Sequence, residues 1–157
     1  MPSLNVIFDL TNGYLNAQIQ SINSLRLRGT AHVGFSAAVF ALSVAALQAN
    51  PAKTEELVQT ITFALIAALF LAITGLVFAS FFQPIRLGPS PRTLLAEYVN
   101  LQARQTKLEL LQYFYPDATR NNEDVLAFTT KMLDIATLLL WIQALLVGAV
   151  LAALRLL

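Results

Sequence analysis

The chain has 157 residues, of which 57% are hydrophobic and 12% charged, with ten Lys or Arg against nine Asp or Glu, one histidine and no cysteine. Soluble domains carry about 45–50% apolar and about 25% charged residues, so this composition excludes an ordinary soluble domain and points to a membrane protein. The missing thiols exclude disulfides, thiolate nucleophiles and zinc–thiolate sites, and the near-balanced charge disfavours binding to a nucleic-acid backbone.

The opening residues, MPSLNVIFDLTNGYLNAQIQ, lack the basic start and early apolar core of a secretory signal peptide, which predicts that this N-terminus is kept. Leu4, Phe8, Leu15, Ile19, Ile22 and Leu25 recur at helical spacing. Residues 1–29 therefore read as an N-terminal amphipathic helix, with Gly13 weakening its middle and Gly29 as its C-terminal stop. Such a stripe suits the headgroup layer or packing against other amphipathic helices. The scarcity of basic residues favours packing.

Two apolar runs follow, at 31–49 and 61–82. The second carries no charge and makes a helix of roughly 33 Å, enough to cross a bilayer. Because hydrocarbon cannot satisfy free backbone groups, each run is expected to be helical. Asn50, Pro51, Lys53, Glu55 and Glu56 form a polar turn between them, which predicts a transmembrane hairpin of residues 31–49 and 60–82.

Residues 83–122 read as a cytoplasmic helical segment. Ser90 can cap and Pro91 suits the first helical position, after which Leu94, Tyr98, Leu101, Leu108, Leu111 and Tyr115 keep helical spacing. The helix is expected to end before Pro116, with Asp117, Asn121 and Asn122 as turn and N-cap residues. From Glu123 a stem carrying Val125, Phe128 and Met132 continues into a third apolar run at 135–154, so residues 123–157 form one long helix of roughly 45–50 Å. The predicted fold is an all-α membrane protein forming a single membrane domain. It has three transmembrane helices plus amphipathic cytoplasmic helices packed as a helical bundle.

Arg26, Arg28, Arg86, Arg92 and Lys131 flank one side of these runs, against Lys53 and Arg155 on the other. The positive-inside rule then places the N-terminus in the cytoplasm and the C-terminus outside.

One histidine, no cysteine and acids confined to the polar segments make poor material for catalysis, so the chain reads as a non-enzyme without a cofactor. It has neither a GxxxxGK[ST] phosphate loop nor a strand followed by GxGxxG. His32 reads as an interfacial anchor, with a pH-sensitive gate as the sharper alternative. Small residues recur every four positions in each run: Ala37, Ala41, Ala45 and Ala49; Ala64, Ala68 and Ala72; Ala144, Gly148 and Ala152. Such stripes let helices approach closely, and three of them favour a homo-oligomer. Gln143, the one strongly polar side chain deep in a run, either bonds a neighbouring helix or lines a polar pore. With no acid or base at that depth, a proton relay, an ion-coupled pump and a voltage sensor are disfavoured. Arg92, Arg104, Lys107 and Arg120 are interspersed with Glu97, Glu109, Asp117, Glu123 and Asp124, the usual mixture of a solvated face. Convergence of those cations would instead make a site for an anionic ligand such as a nucleotide phosphate.

Taken in order, Arg28-Gly29-Thr30-Ala31 and Gly34-Phe35 at the first boundary, a tight hairpin, a cytoplasmic helical segment, and Asn122, Lys131 and Ala136 along the stem resemble the small transmembrane effectors of bacterial anti-phage defence, of the Pycsar transmembrane type and the related SLATT group. Where that family has an acid-plus-Lys pair, this chain has Arg26-Leu27-Arg28. The resemblance implies a protein that oligomerises in the bacterial inner membrane and compromises it when a nucleotide second messenger or a signalling partner protein arrives. A non-conducting scaffold or accessory subunit is the alternative expectation, and a phage holin is a third that fits size and span count.

Overall fold

The computed structural model describes residues 4–49, 56–88 and 102–156. Helix α1 runs over Leu4–Ala49 and α2 over Glu56–Phe81. An extended stretch at 84–87 follows, and then α3 over Ala103–Glu109, a π-helical turn over Leu110–Phe114, and α4 over Tyr115–Leu156. No strand occurs among the described residues. Three stretches, Leu4–Ala49, Val58–Phe81 and Ala103–Ala153, are long and apolar enough to cross a membrane; the first contains the predicted 31–49 run, and the others cover the 60–82 and 135–154 runs to within one residue. Asn50, Pro51, Lys53 and Glu55 of the predicted turn lie outside the described residues, as do Ser90, Pro91, Arg92, Leu94, Glu97, Tyr98 and Leu101.

Two expected helix ends are not ends. Gly29 lies inside α1, where a Cβ would stand 3.0 Å from Val77 Cγ1 and 3.1 Å from Leu133 Cδ2. The glycine is therefore there for close approach of side chains from two other helices, and not for a left-handed C-cap. Pro116 lies in the first turn of α4, directly after the π turn, so the helix predicted to stop before it continues. Proline lacks an N–H and its ring collides with the carbonyl four residues back in a regular α-helix. The wider π turn relieves that collision: Tyr115 donates its backbone N–H to Leu110 O, five residues earlier. Consequently the predicted 117–122 turn is helical, and Asp117, Asn121 and Asn122 are helix-interior residues.

The chain divides into two units, Met1–Ser24 with Gln83–Phe128, and Leu25–Phe82 with Thr129–Leu157. In the first, Leu15, Leu110, Tyr115 and Ala118 are buried, with Phe8, Ile19, Leu111 and Phe114 packed on them. Phe8 meets Tyr115 edge to face at 5.6 Å between centroids, so the N-terminal stripe packs on protein. The extended stretch is pinned by α4. Asn122, fully buried, accepts the Arg86 backbone N–H on Oδ1 at 2.9 Å and donates Nδ2 to Arg86 O at 3.0 Å, as a neighbouring β-strand would. Asn121 donates to Pro84 O at 3.1 Å, and the Arg86 guanidinium pairs with Asp117 at 3.1 Å.

In the second unit, Ile73, Val77, Leu133 and Ala136 form one buried cluster, and Val39, Ile66 and Val147 another. Here α1 runs antiparallel to α2, since Gly29 lies against Val77 and Leu47 O accepts from Gln59 Nε2. It runs parallel to α4, since Gly29 lies against Leu133 and Ser36 meets Gln143. Arg26 donates Nη2 to Phe81 O at 3.2 Å, placing a cation at the carbonyl end of α2 where the helix dipole favours it. The interior is unusually polar: Ser36, Ser43, Ser80, Thr129 and Gln143 are buried. The outer face is apolar, with Leu42, Leu71, Trp141 and Leu145 all exposed. A soluble bundle distributes its residues the other way.

Buried positions repeat every seven residues. They are Leu15, Ile22, Gly29, Ser36 and Ser43 on α1, Ile66, Ile73 and Ser80 on α2, and Tyr115, Asn122, Thr129, Ala136 and Gln143 on α4. A sustained heptad is the pattern of knobs-into-holes packing.

Candidate functional site

The second unit holds the deepest polar contact. Ser36 Oγ–H donates to Gln143 Oε1 at 2.6 Å, and Gln143 Nε2 donates back to Ser36 O at 3.4 Å. Both residues are fully buried, and in a low-dielectric interior an unmade hydrogen bond is costly. Gln143 is thus placed in an interhelical contact within its own chain. Ser43 and Ser80 satisfy their hydroxyls on Val39 O and Val77 O, whereas the Thr74 and Thr129 hydroxyls are buried with no partner among the described residues.

His32 ties α1 to α4. Its Nδ1 lies 2.7 Å from Arg28 O, an acceptor only, so Nδ1 carries a proton. Its Nε2 lies 2.8 Å from Thr137 Oγ1, and that hydroxyl is also 2.7 Å from Leu133 O. The geometry is that of an anchor at the start of the apolar region, built from a side chain, a backbone carbonyl and a hydroxyl.

The small-residue stripes point outward. Ala37, Ala41, Ala45, Ala49, Ala64, Ala68, Ala72, Gly148 and Ala152 are exposed, and Ala144 is half-buried. A Cβ added at Gly148 would touch nothing within 4 Å, so this glycine does not serve packing within the chain. Gly29 serves packing, although it belongs to none of the four-residue stripes.

In the first unit the predicted cations separate. Arg104 and Lys107 line one cleft of about 260 Å³ with Leu4 and Asn5. Lys107 is committed there, with Nζ 2.9 Å from Asn5 Oδ1 and 5.2 Å from the centroid of the Phe8 ring. Arg120 lines a second, larger cleft of about 790 Å³ between α1 and α4. Arg92 lies outside the described residues. Beside the larger cleft, Glu123 Oε1 accepts from Tyr14 Oη at 3.2 Å and Gln18 Nε2 at 3.5 Å, while Gln18 Nε2 also lies 3.4 Å from Thr119 O. Burial raises the pKa of the Tyr115 hydroxyl in its floor. Among the described residues no group of three His, Asp or Glu could hold a metal ion.

No family model, curated protein or solved structure matches this chain. Function therefore has to be argued from the geometry, and several of its residues are not singled out by sequence reasoning. Ser36 is one serine in an alanine-rich run, and only the seven-residue spacing from Gly29 to Ser43 marks it. Tyr14 and Glu123 carry no motif, and their contact joins residues 109 apart in sequence.

Proposed function

We propose that this chain is a multi-pass membrane protein that oligomerises through the outward faces of its apolar helices and acts as a triggered, membrane-compromising effector. One observation carries the reading: the four-residue stripes of small residues on the apolar helices are exposed at every position but the half-buried Ala144, while the chain's own interior contacts use other positions. Small outward residues allow a second copy to approach closely in lipid, where packing and not the hydrophobic effect drives helix association. The buried serines, threonines and glutamine of the second unit supply polar groups that a rearranged oligomer can present to a permeant species. Its proposed place is the bacterial inner membrane, with the N-terminus cytoplasmic and the C-terminus outside. The trigger is a nucleotide second messenger or a signalling partner protein. That assignment, like the defence role, rests on the resemblance in layout.

Controlled expression with a membrane-potential dye tests the proposal. Depolarisation with growth arrest once the trigger is supplied is expected. Unchanged potential and growth under those conditions contradict it and favour a non-conducting scaffold, which purification in mild detergent would reveal as a stoichiometric hetero-complex. The observation favouring that second reading is the apolar surface on the first unit, where Val6, Ile7, Leu10 and Tyr14 are exposed.

A further inference from the structure

The larger cleft of the first unit has an asymmetric chemistry of its own. It is an open surface groove of about 790 Å³, long enough in its lining to run from Ile7 to Glu123. Ile7, Leu10, Leu111 and Pro116 give it an apolar wall, and Leu10 is 69% exposed, so a large aliphatic surface stands uncovered. Arg120 contributes an exposed guanidinium with no carboxylate within 4 Å among the described residues. Glu123 is different: its Oε1 already accepts from Tyr14 and Gln18, and its charge opposes any anion at the same rim, a dianion about twice as strongly as a monoanion. The π turn supplies Leu111 to this wall, and π turns recur at functional sites.

We infer that this cleft binds a single-chain amphiphile bearing one carboxylate, its chain along Ile7, Leu10 and Leu111 and its head group on Arg120. A guanidinium recognises a carboxylate through two parallel N–H donors, and the apolar wall selects against a free nucleotide or inorganic phosphate. The site is independent of the oligomer reading, since all of its residues belong to the first unit.

Photolabelling of the full chain in phosphatidylcholine nanodiscs tests this, with a twelve-carbon carboxylate carrying a terminal diazirine as the probe. Adducts are expected on peptides containing residues 7–14 or 111–123. Dodecanoate should displace them at least fivefold more effectively than dodecanol. Arg120→Gln should lower labelling at least fivefold, and Leu10→Ser should lower it as well; both side chains are exposed, so neither change threatens the fold. Arg104→Gln, in the other cleft, should leave labelling within twofold of the parent. Labelling confined to the apolar helices, equal competition by the alcohol, or an unchanged Arg120→Gln variant each overturns the assignment. Loss of labelling when phosphatidylglycerol is added to the nanodisc also overturns it, by assigning the cleft to a phospholipid head group.

Discussion

Space decides the outcome at the glycines, and polarity decides it at Ser36, Gln143 and Tyr115. At Gly29 a Cβ would sit 3.0 Å from a β-branched valine and 3.1 Å from Leu133 Cδ2, so both side chains would have to give way at once. Gly29→Val should therefore destabilise the chain by about 1–3 kcal/mol in detergent unfolding, while Gly34→Ala, where nothing lies within 4 Å, should stay within about 1 kcal/mol of the parent. The Ser36–Gln143 pair exchanges two hydrogen bonds in a dry interior. A double-mutant cycle with Ser36→Ala and Gln143→Leu should give a coupling of roughly 0.6–2 kcal/mol, and additivity would mean that the pair does not hold the helices together. At Tyr115 burial raises the hydroxyl pKa above its ordinary value of about 10. The folded state thus favours the neutral phenol: its contribution is fully present below about pH 10 and is lost as pH rises through the folded value. Tyr115→Phe should lose less stability than the parent between pH 8 and pH 11, measured by chemical unfolding.

At the scale of elements, the apolar runs were legible because eighteen or more uncharged residues have few other solutions, and α2 follows its run to within a few residues. The helix ends were not. Gly29 and Pro116 read as terminators because their intrinsic penalties are about 1 and about 3 kcal/mol, yet packing exceeds the first and a π turn relieves the second. Asn121 and Asn122 were read as caps because short amides bond backbone locally. Here they bond backbone 36 or 37 residues away. The heptad is hidden in the sequence for a related reason: its positions on α1 pass from Leu15 and Ile22 to Gly29, Ser36 and Ser43, so no scale based on hydrophobicity can follow it. If Pro116 causes the π turn, Pro116→Ala should slow amide exchange across residues 111–116 and stabilise the first unit by up to about 3 kcal/mol. Unaltered exchange there would point to packing of Leu110 and Tyr115 as the cause.

For the whole molecule, the distribution of surfaces is the dominant fact. Only 22%, 17% and 17% of the most apolar windows of the three long helical stretches are buried, so the remainder requires lipid or further protein. Association and folding can be separated at Gly148 and Ala152, which are exposed and on the outer face of α4. Under the proposed association through this face, Gly148→Leu combined with Ala152→Leu should leave the melting temperature within a few degrees of the parent while shifting native electrophoresis from oligomer to monomer. An unshifted oligomer would place the interface on α1 or α2. The outward stripes themselves were readable from sequence, because spacing alone defines them. Their direction was not, since a stripe of alanines looks the same whether it faces a neighbour in the same chain or in another.

The Ser36–Gln143 contact also sets what motions the helices of the second unit can make. Sliding α1 along α4 by one heptad, about 10.5 Å, would bring either Gly29 or Ser43 opposite Gln143. Gly29 has no hydroxyl, and Ser43 would have to release Val39 O. Shorter slides keep the same face of α1 inward but carry the Ser36 hydroxyl and carbonyl away from the Gln143 amide. Each register other than the native one thus forfeits both bonds of this pair, so a single amide sets the register of α1 on α4 at a cost of roughly 0.6–2 kcal/mol.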